Sequence, residues 1–154
     1  MGTLHTSRSE TPRQGWMRVL AQAEPAELDQ AFSTLGILPA HQWLRKPEIG
    51  MAMVRARSGG TGSQFNLGEL TVTRCALALE DGTMGVGYVR GRSLRHAEQA
   101  AVADALLQTE QWRERVQSHL IEPLARAHAQ RRDLQARTAA QSKVDFFTLV
   151  RGDN

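Results

Sequence analysis

The chain has 154 residues, of which 41% are hydrophobic and 23% are charged, and its formal net charge at pH 7 is +3. This length and composition predict one soluble domain, spanning residues 1–154, with a real hydrophobic core. No apolar run approaches the roughly 20 residues that a membrane helix requires. The first 15 residues lack the apolar segment of a secretory signal, so a cytoplasmic protein without membrane contact is expected.

The single cysteine, Cys75, is incompatible with an internal disulfide or a metal site built from several cysteines. It falls in the alternating apolar stretch "LTVTRCALAL", which predicts a small buried thiol. His41, His119 and His128 have no partner at metal-ligand spacing, so no metal site is predicted.

Two helices are predicted near the start, after residues 1–10, which are expected to be disordered. Thr11 before Pro12 is typical of an N-cap followed by the first helical position. Pro25 predicts the start of a second helix, whose apolar residues recur at helical spacing: Leu28, Phe32 and Leu35. Neither helix is a basic recognition helix, so DNA binding is not predicted.

The middle of the chain predicts a small antiparallel meander sheet of three to four strands, which makes the fold class α+β. The predicted strands are 49–58, 65–79 and 83–91, with a further short strand at 41–46 before Pro47. The connections "GGTG" and "EDG" have the composition of hairpin turns.

Alternation along the strand at 49–58 separates its side chains into two faces. One face is apolar at one end and cationic at the other, and consists of Ile49, Met51, Met53, Arg55 and Arg57. The opposite face carries small residues that would let a helix lie close: Gly50, Ala52, Val54 and Ala56.

A long helical segment is predicted to follow the sheet. Ser93 is a candidate N-cap for an alanine-rich helix that would pack tightly on the sheet. Further along, Pro123 predicts a kink or a restart of the helix after about residue 122.

Residues 124–154 are predicted to form a helix with a thin apolar stripe, followed by an apolar tail, and together they form a candidate partner-binding arm. The candidate interface residues are Phe146, Phe147, Leu149 and Val150. Two alternatives remain open for the tail: it folds back on the sheet as an edge strand, or it docks on another subunit.

The stretch "RARSGGTGSQF" is a candidate anion site, in which Arg55 and Arg57 precede Gly59, Gly60 and Gly62. It lacks the lysine and the Ser or Thr of a Walker-type loop, and it joins two strands instead of a strand and a helix. A plain hairpin turn and an anion site formed by backbone amides and arginines both remain open.

A second cluster of charged residues lies where the last strand turns into the alanine-rich helix and contains Arg90, Arg92, His96 and Glu98. Such junctions often contact anions, and the alternative is a solvated first helical turn. In "GVGYVRG" (85–91), the glycines are interpreted as allowing close approach of a helix or partner, not as a cofactor loop.

Four stretches together resemble one family, the G subunit (PhnG) of the bacterial carbon–phosphorus lyase system. They are "RQGWMRVLAQAEPAEL", "VRARSGGTGSQFNLGE" with "TVTRCALAL", "DGTMGVGYVRGRSLRHAEQAAVADAL" and "KVDFFTLVRGDN". The resemblance extends from about Arg13 to Asn154, in the order and spacing of the family.

This resemblance implies a subunit of a cytoplasmic complex that lets bacteria use alkylphosphonates. It implies partners H, I and J in a core complex, with ABC-type components K and L. The implied reaction is displacement of adenine from MgATP by a phosphonate, which gives α-D-ribose 1-methylphosphonate 5-triphosphate. MgATP is then a substrate of the complex, and no cofactor is expected on this chain alone.

The resemblance places the nucleosidase-like chemistry on the I subunit, so the chain is expected to assist without an assigned catalytic residue. The arginine clusters are then candidate contacts for phosphate or nucleotide. The alternative is a purely structural adaptor that stabilises the I subunit without contacting substrate. A free-standing nucleic-acid binder is disfavoured, because the arginines are scattered and few aromatic residues are available for stacking on bases.

Overall fold

The structure is a computed structural model, which describes the backbone of residues 9–148 and the side chains of residues 9–142. This part of the chain is α+β, as predicted. Its elements are α1 (Pro12–Gln22), α2 (Pro25–Ser33), β1 (His41–Arg57), β2 (Gln64–Leu79), β3 (Met84–Arg90), α3 (Leu94–Leu107), α4 (Glu110–Val116) and α5 (Glu122–Thr148). A 3₁₀ turn, Ser58–Gly60, joins β1 to β2, and a π-helical turn, Gln117–Ile121, joins α4 to α5.

The helix starts are those that the sequence predicts. Thr11 forms a capping box with Gln14, because its hydroxyl accepts from the Gln14 amide while the Gln14 side chain accepts from the Thr11 amide. Helix α2 begins at Pro25, and the Ser93 hydroxyl accepts from the His96 amide at the start of α3. Side-chain capping therefore marks the starts of α1 and α3, and a proline at the first helical position marks the start of α2.

The sheet is an antiparallel meander in the order β1-β2-β3. The predicted segments 41–46 and 49–58 form one continuous strand, so there are three strands in the described part of the chain. Pro47 is tolerated because β1 lies at the edge of the sheet and its pairing with β2 shifts register between Arg45 and Glu48.

Helix α3 lies directly on β3, as the glycine pattern predicts. A Cβ placed on Gly85 would lie 2.0 Å from the Ala101 carbonyl oxygen, and one on Gly87 would lie 2.1 Å from that of Ala97. Both distances are shorter than any real contact of a Cβ atom. Only glycine therefore permits this approach of helix and strand.

Helix α3 is the centre of the core. It contacts the sheet on one side and α1, α2 and α4 on the others. Its buried alanines and leucines pack with fully buried leucines from the other elements, among them Leu20, Leu28, Leu35, Leu77 and Leu120.

Beyond β3, the first two strands continue as a two-stranded ribbon, residues 51–57 of β1 and 64–71 of β2. Strand β3 pairs only with Val72–Ala78, while β1 and β2 pair as far as Arg57 and Gln64. The alternation predicted for β1 is confirmed, since its odd-numbered residues from 49 to 57 are exposed and the even-numbered ones are partly buried. The apolar and cationic face is therefore open to solvent.

Pro123 predicts a kink or a restart of the helix, and the structure has a π-helical turn, Gln117–Ile121, just before this proline. The wider spacing of this turn accommodates a proline ring and a missing N–H without breaking the helix. Helix α5 continues to Thr148, so the edge-strand alternative is wrong for residues up to 148.

Of the predicted interface residues, Leu149 and Val150 lie outside the described residues, as do the side chains of Phe146 and Phe147. Residues 1–8, most of the segment expected to be disordered, also lie outside them.

Candidate functional site

The glycine-rich stretch forms the tip of the ribbon, and its prediction as a hairpin turn is confirmed. Gly59 and Gly60 adopt φ values of 62° and 75°, in the left-handed region that glycine occupies without a Cβ penalty. The Gly62 amide donates to the Ser58 carbonyl at 2.8 Å, so this amide is not available to an anion.

Arg55 and Arg57 extend from the ribbon face just before the tip, and both are exposed. Within the described residues, neither guanidinium takes part in an ion pair. The tip therefore offers two cations to a partner or ligand. The anion contact predicted for these residues stays a prediction.

Arg90 is held at the last position of β3 by its neighbours. The Gly91 amide donates to the Thr71 carbonyl at 2.9 Å, and the Gly91 carbonyl accepts from the Thr73 hydroxyl at 2.6 Å. Because Thr73 is fully buried, the end of β3 is tied to the core of the sheet, and the exposed Arg90 side chain starts from a fixed backbone.

Arg90 lines a cleft of about 770 Å³ between the sheet and the helices. Ala52, Leu70 and Val72 form its apolar part. Its polar groups come from four places: Gln22 at the end of α1, Glu24 at the N-cap of α2, Tyr88 and Arg90 on β3, and His128 on α5. The cleft therefore combines an apolar surface with a guanidinium, an imidazole and the carboxylate of Glu24. The apolar surface suits a ring, and the guanidinium suits the anionic part of a ligand.

His96, which the sequence places beside Arg90 and Arg92, lies in the core instead. Its side chain is buried, and its Nε2 is 2.7 Å from the Leu20 carbonyl oxygen, to which it donates. The geometry gives His96 a structural role, joining α3 to the end of α1. Arg92 is exposed at the turn before α3, and the anion contact predicted for these two residues stays a prediction.

The structure divides the predicted anion-binding residues into two groups. Arg90 pairs with Val72, which pairs in turn with Gly50. From Gly50, the strand continues for seven residues to Arg57, a distance of about 23 Å at about 3.3 Å per residue. The ribbon tip and the cleft are therefore separate sites.

A buried carboxylate that the sequence analysis did not identify organises the other edge of β3. Asp104 accepts hydrogen bonds from the guanidinium of Arg13, from Trp16 Nε1 at 2.9 Å and from the Val86 amide at 3.0 Å. Hydrogen bonding to Asp104 raises the pKa of Arg13. A single aspartate in an alanine-rich helix gives no signal of this kind, because its three partners are distant in sequence.

A second polar cluster joins α2 to α3 beside a cavity of about 490 Å³. Asp29 Oδ1 accepts from Arg95 at 2.6 and 2.8 Å and from Gln99 at 2.8 Å. These hydrogen bonds, that of Arg95 foremost, lower the pKa of Asp29. The three side chains satisfy one another, so the cluster serves to hold the helices together.

A family model described as "Phosphonate metabolism protein PhnG" matches residues 11–152. The chain belongs to the PhnG family. A curated PhnG relative from Rhizobium meliloti (strain 1021) is named "Alpha-D-ribose 1-methylphosphonate 5-triphosphate synthase subunit PhnG". It is 40% identical over 142 residues, covering 92% of this chain and 90% of the relative.

The PhnG match includes both candidate sites, the ribbon tip and the cleft. Within the described residues of this PhnG chain, no group of three histidine, cysteine, aspartate or glutamate side chains is arranged to hold a metal ion. No helix in the same residues is long and apolar enough to cross a membrane.

Proposed function

We propose that this PhnG-family chain is a non-autonomous subunit of an α-D-ribose 1-methylphosphonate 5-triphosphate synthase and acts in alkylphosphonate catabolism. The observation that carries the proposal is the 40% identity, over nearly the whole chain, to a relative that is named as this subunit. In the reaction, a phosphonate oxygen forms a bond to the anomeric carbon of the ribose of MgATP. The bond from that carbon to adenine breaks, and adenine leaves with a proton.

The partners in this proposal are the H, I and J subunits, with the ABC-type components K and L, in the cytoplasm. MgATP is the substrate of the assembly, and this chain alone holds no cofactor. A transferase of this kind must neutralise the charge of a triphosphate and of the attacking phosphonate. Arginines are suited to that task because their planar guanidinium binds phosphate in a bidentate manner.

Within the chain, we assign the phosphate contact to Arg90 in the cleft. Its backbone is fixed by the buried Thr73, and within the described residues its guanidinium takes part in no ion pair. Among the described residues that line the cleft, Arg90 is the one guanidinium, whereas the substrate carries three phosphates. A single guanidinium supports a subunit that completes its site with another chain.

The alternative is a structural adaptor that stabilises the I subunit without touching substrate. The exposed ribbon favours it, because such a surface is suited to binding a protein whether or not the cleft binds a ligand. The two functions differ in one property: an adaptor contributes nothing to turnover once the complex is assembled.

The experiment follows adenine release from MgATP and methylphosphonate with the purified H, I and L subunits, with and without this chain, and identifies the triphosphate product by mass. We expect release to require the chain. Equal release without it would contradict a role as a working subunit.

The variant Arg90→Ala then separates the two functions. We expect at least tenfold lower turnover in an intact complex. Arg115→Ala is the control, because Arg115 is also an exposed arginine and lies on α4, outside the cleft and outside the candidate partner-binding arm. An adaptor predicts wild-type turnover for both variants.

A further inference from the structure

We propose that the face of β1 formed by Ile49, Met51, Met53, Arg55 and Arg57, which runs from the edge of the three-stranded sheet along the ribbon, is the surface on which a different subunit of the same synthase docks. This inference rests on the proposed function and names the surface that the assembly uses. The partner would present an apolar groove with carboxylates at one end.

The apolar part of this face is unusually exposed. Met51 is 65% exposed, and Ile49 and Met53 are exposed by nearly half. Their cross-strand neighbours on β2 are polar, since Met51 lies opposite Thr71 and Met53 opposite Glu69. The apolar side chains therefore form a narrow strip along the edge strand, where methionine adapts readily to a partner surface.

Only the first half of β1 is protected against pairing with a strand of another chain. Lys46 and Pro47, together with two shifts of register, blunt the strand before residue 48. From Ile49 to Val54 the same edge carries neither a charge nor a proline. An open apolar edge of this kind is a liability in a free monomer, and it is explained if another chain covers it.

The charges on this face favour docking of a different polypeptide over docking of a second copy of this chain. A symmetric dimer would place the same strip on itself. The face carries two arginines and one carboxylate, that of Glu69, so self-pairing would leave arginines without partners. A partner with its own carboxylates satisfies them, and those carboxylates fix the direction in which the strip is bound.

The decisive variant is Met51→Glu with Met53→Glu, made in the full-length chain. Its control is Met84→Glu, because Met84 is a strand methionine that is 52% exposed on β3, outside the ribbon. Binding to the purified H, I and L subunits is measured by titration and by co-elution. We expect at least tenfold weaker binding for the double variant and wild-type binding for the control.

A second pair of measurements covers the charges and the folding of the variants. We expect Arg55→Ala with Arg57→Ala to bind more weakly and to lose part of the salt dependence of binding. If the double glutamate variant melts at a lower temperature than the control, the binding measurement with this variant is replaced by hydrogen exchange of the wild-type chain. Amides 49–57 should then exchange more slowly in the complex than in the free chain.

The docking surface is overturned by wild-type binding of a well-folded double variant, or by unchanged exchange at 49–57 on assembly. A free chain that is dimeric and becomes monomeric in the double variant would also overturn it, since the occupant would be a second copy. A different result would refute the proposed function. A complex that assembles through the ribbon but releases no adenine refutes the function and retains the surface.

Discussion

Arg13 and Asp104 lie 91 positions apart in the sequence and form a two-pronged ion pair, with Nε to Oδ1 at 3.1 Å and Nη2 to Oδ2 at 2.8 Å. Asp104 is fully buried, while the Arg13 side chain is partly exposed. The same carboxylate accepts from the Val86 amide on the outer edge of β3. One side chain thus joins α1, α3 and the edge of the sheet.

Asp104→Asn should lower the free energy of unfolding by about 2–4 kcal/mol, because the amide that replaces one oxygen is a donor facing donors inside the core. Chemical denaturation measures the change. Asp133→Asn is the control, since its carboxylate pairs with Arg137 on the exposed surface of α5, and should change stability by less than about 0.5 kcal/mol. Equal effects of the two variants would contradict the central role of Asp104.

Gly85→Ala should destabilise the fold by about 3 kcal/mol or more, because the new methyl group would meet the Ala101 carbonyl at 2.0 Å and force α3 away from β3. Thermal or chemical unfolding measures the loss. Gly50→Ala is the matched control, a strand glycine with nothing within 4 Å of its Cβ position, and should leave stability nearly unchanged. A tolerated Gly85→Ala would show that helix and strand are not in close contact.

Cys75 should make stability depend on pH in the alkaline range. Burial raises the pKa of its thiol to about 11, from an ordinary 9.0, and the thiol donates to the Ala97 carbonyl at 3.2 Å. Between these values the unfolded chain loses the proton and the folded chain keeps it. The contribution of this group is therefore complete below about pH 9 and declines as pH rises to about 11, by about 1.4 kcal/mol per pH unit.

The measurement compares the wild-type chain with Cys75→Ala across that pH range. Subtracting the two curves removes the titration of the other groups. A difference between the curves that does not change with pH would contradict the raised pKa.

The distal part of α5 should open far more easily than the core. Residues 132–142 are exposed all round, and the last described tie to the body is the pair between Arg131 and Glu27 at 2.7 Å. A helix without packing is marginal in water. In the free chain, amides 134–142 should exchange at least a hundredfold faster than those of the buried α3. Similar protection of both helices would contradict this.

Much of the fold follows from local signals in the sequence. Thr11 with Pro12, Pro25 and Ser93 mark helix starts by chemistry that acts within one turn. Gly85 and Gly87 indicate that a helix lies close to β3, because a residue with a Cβ atom would prevent this close contact. These signals need no knowledge of distant residues.

Other features depend on contacts that the sequence pattern does not encode. Pro47 predicts the end of a strand, yet β1 passes through it because the edge position makes the missing N–H harmless. His96 resembles a surface group beside two arginines, yet the packing of α1 buries it against the Leu20 carbonyl. The length of the ribbon could not be foreseen, since it depends on where β3 stops.

Strand β2 carries a mechanical consequence of this arrangement. Its first half belongs to the ribbon, and Leu70 and Val72, where the ribbon meets the three-stranded sheet, line the cleft. Beyond Val72, strand β2 packs against α3. If a bound protein twists the ribbon, Ala52 and Leu70 move with it, and both line the cleft beside Arg90. Because β2 belongs both to the ribbon and to the lining of the cleft, binding of a protein to the ribbon and the shape of the cleft are linked through this one strand.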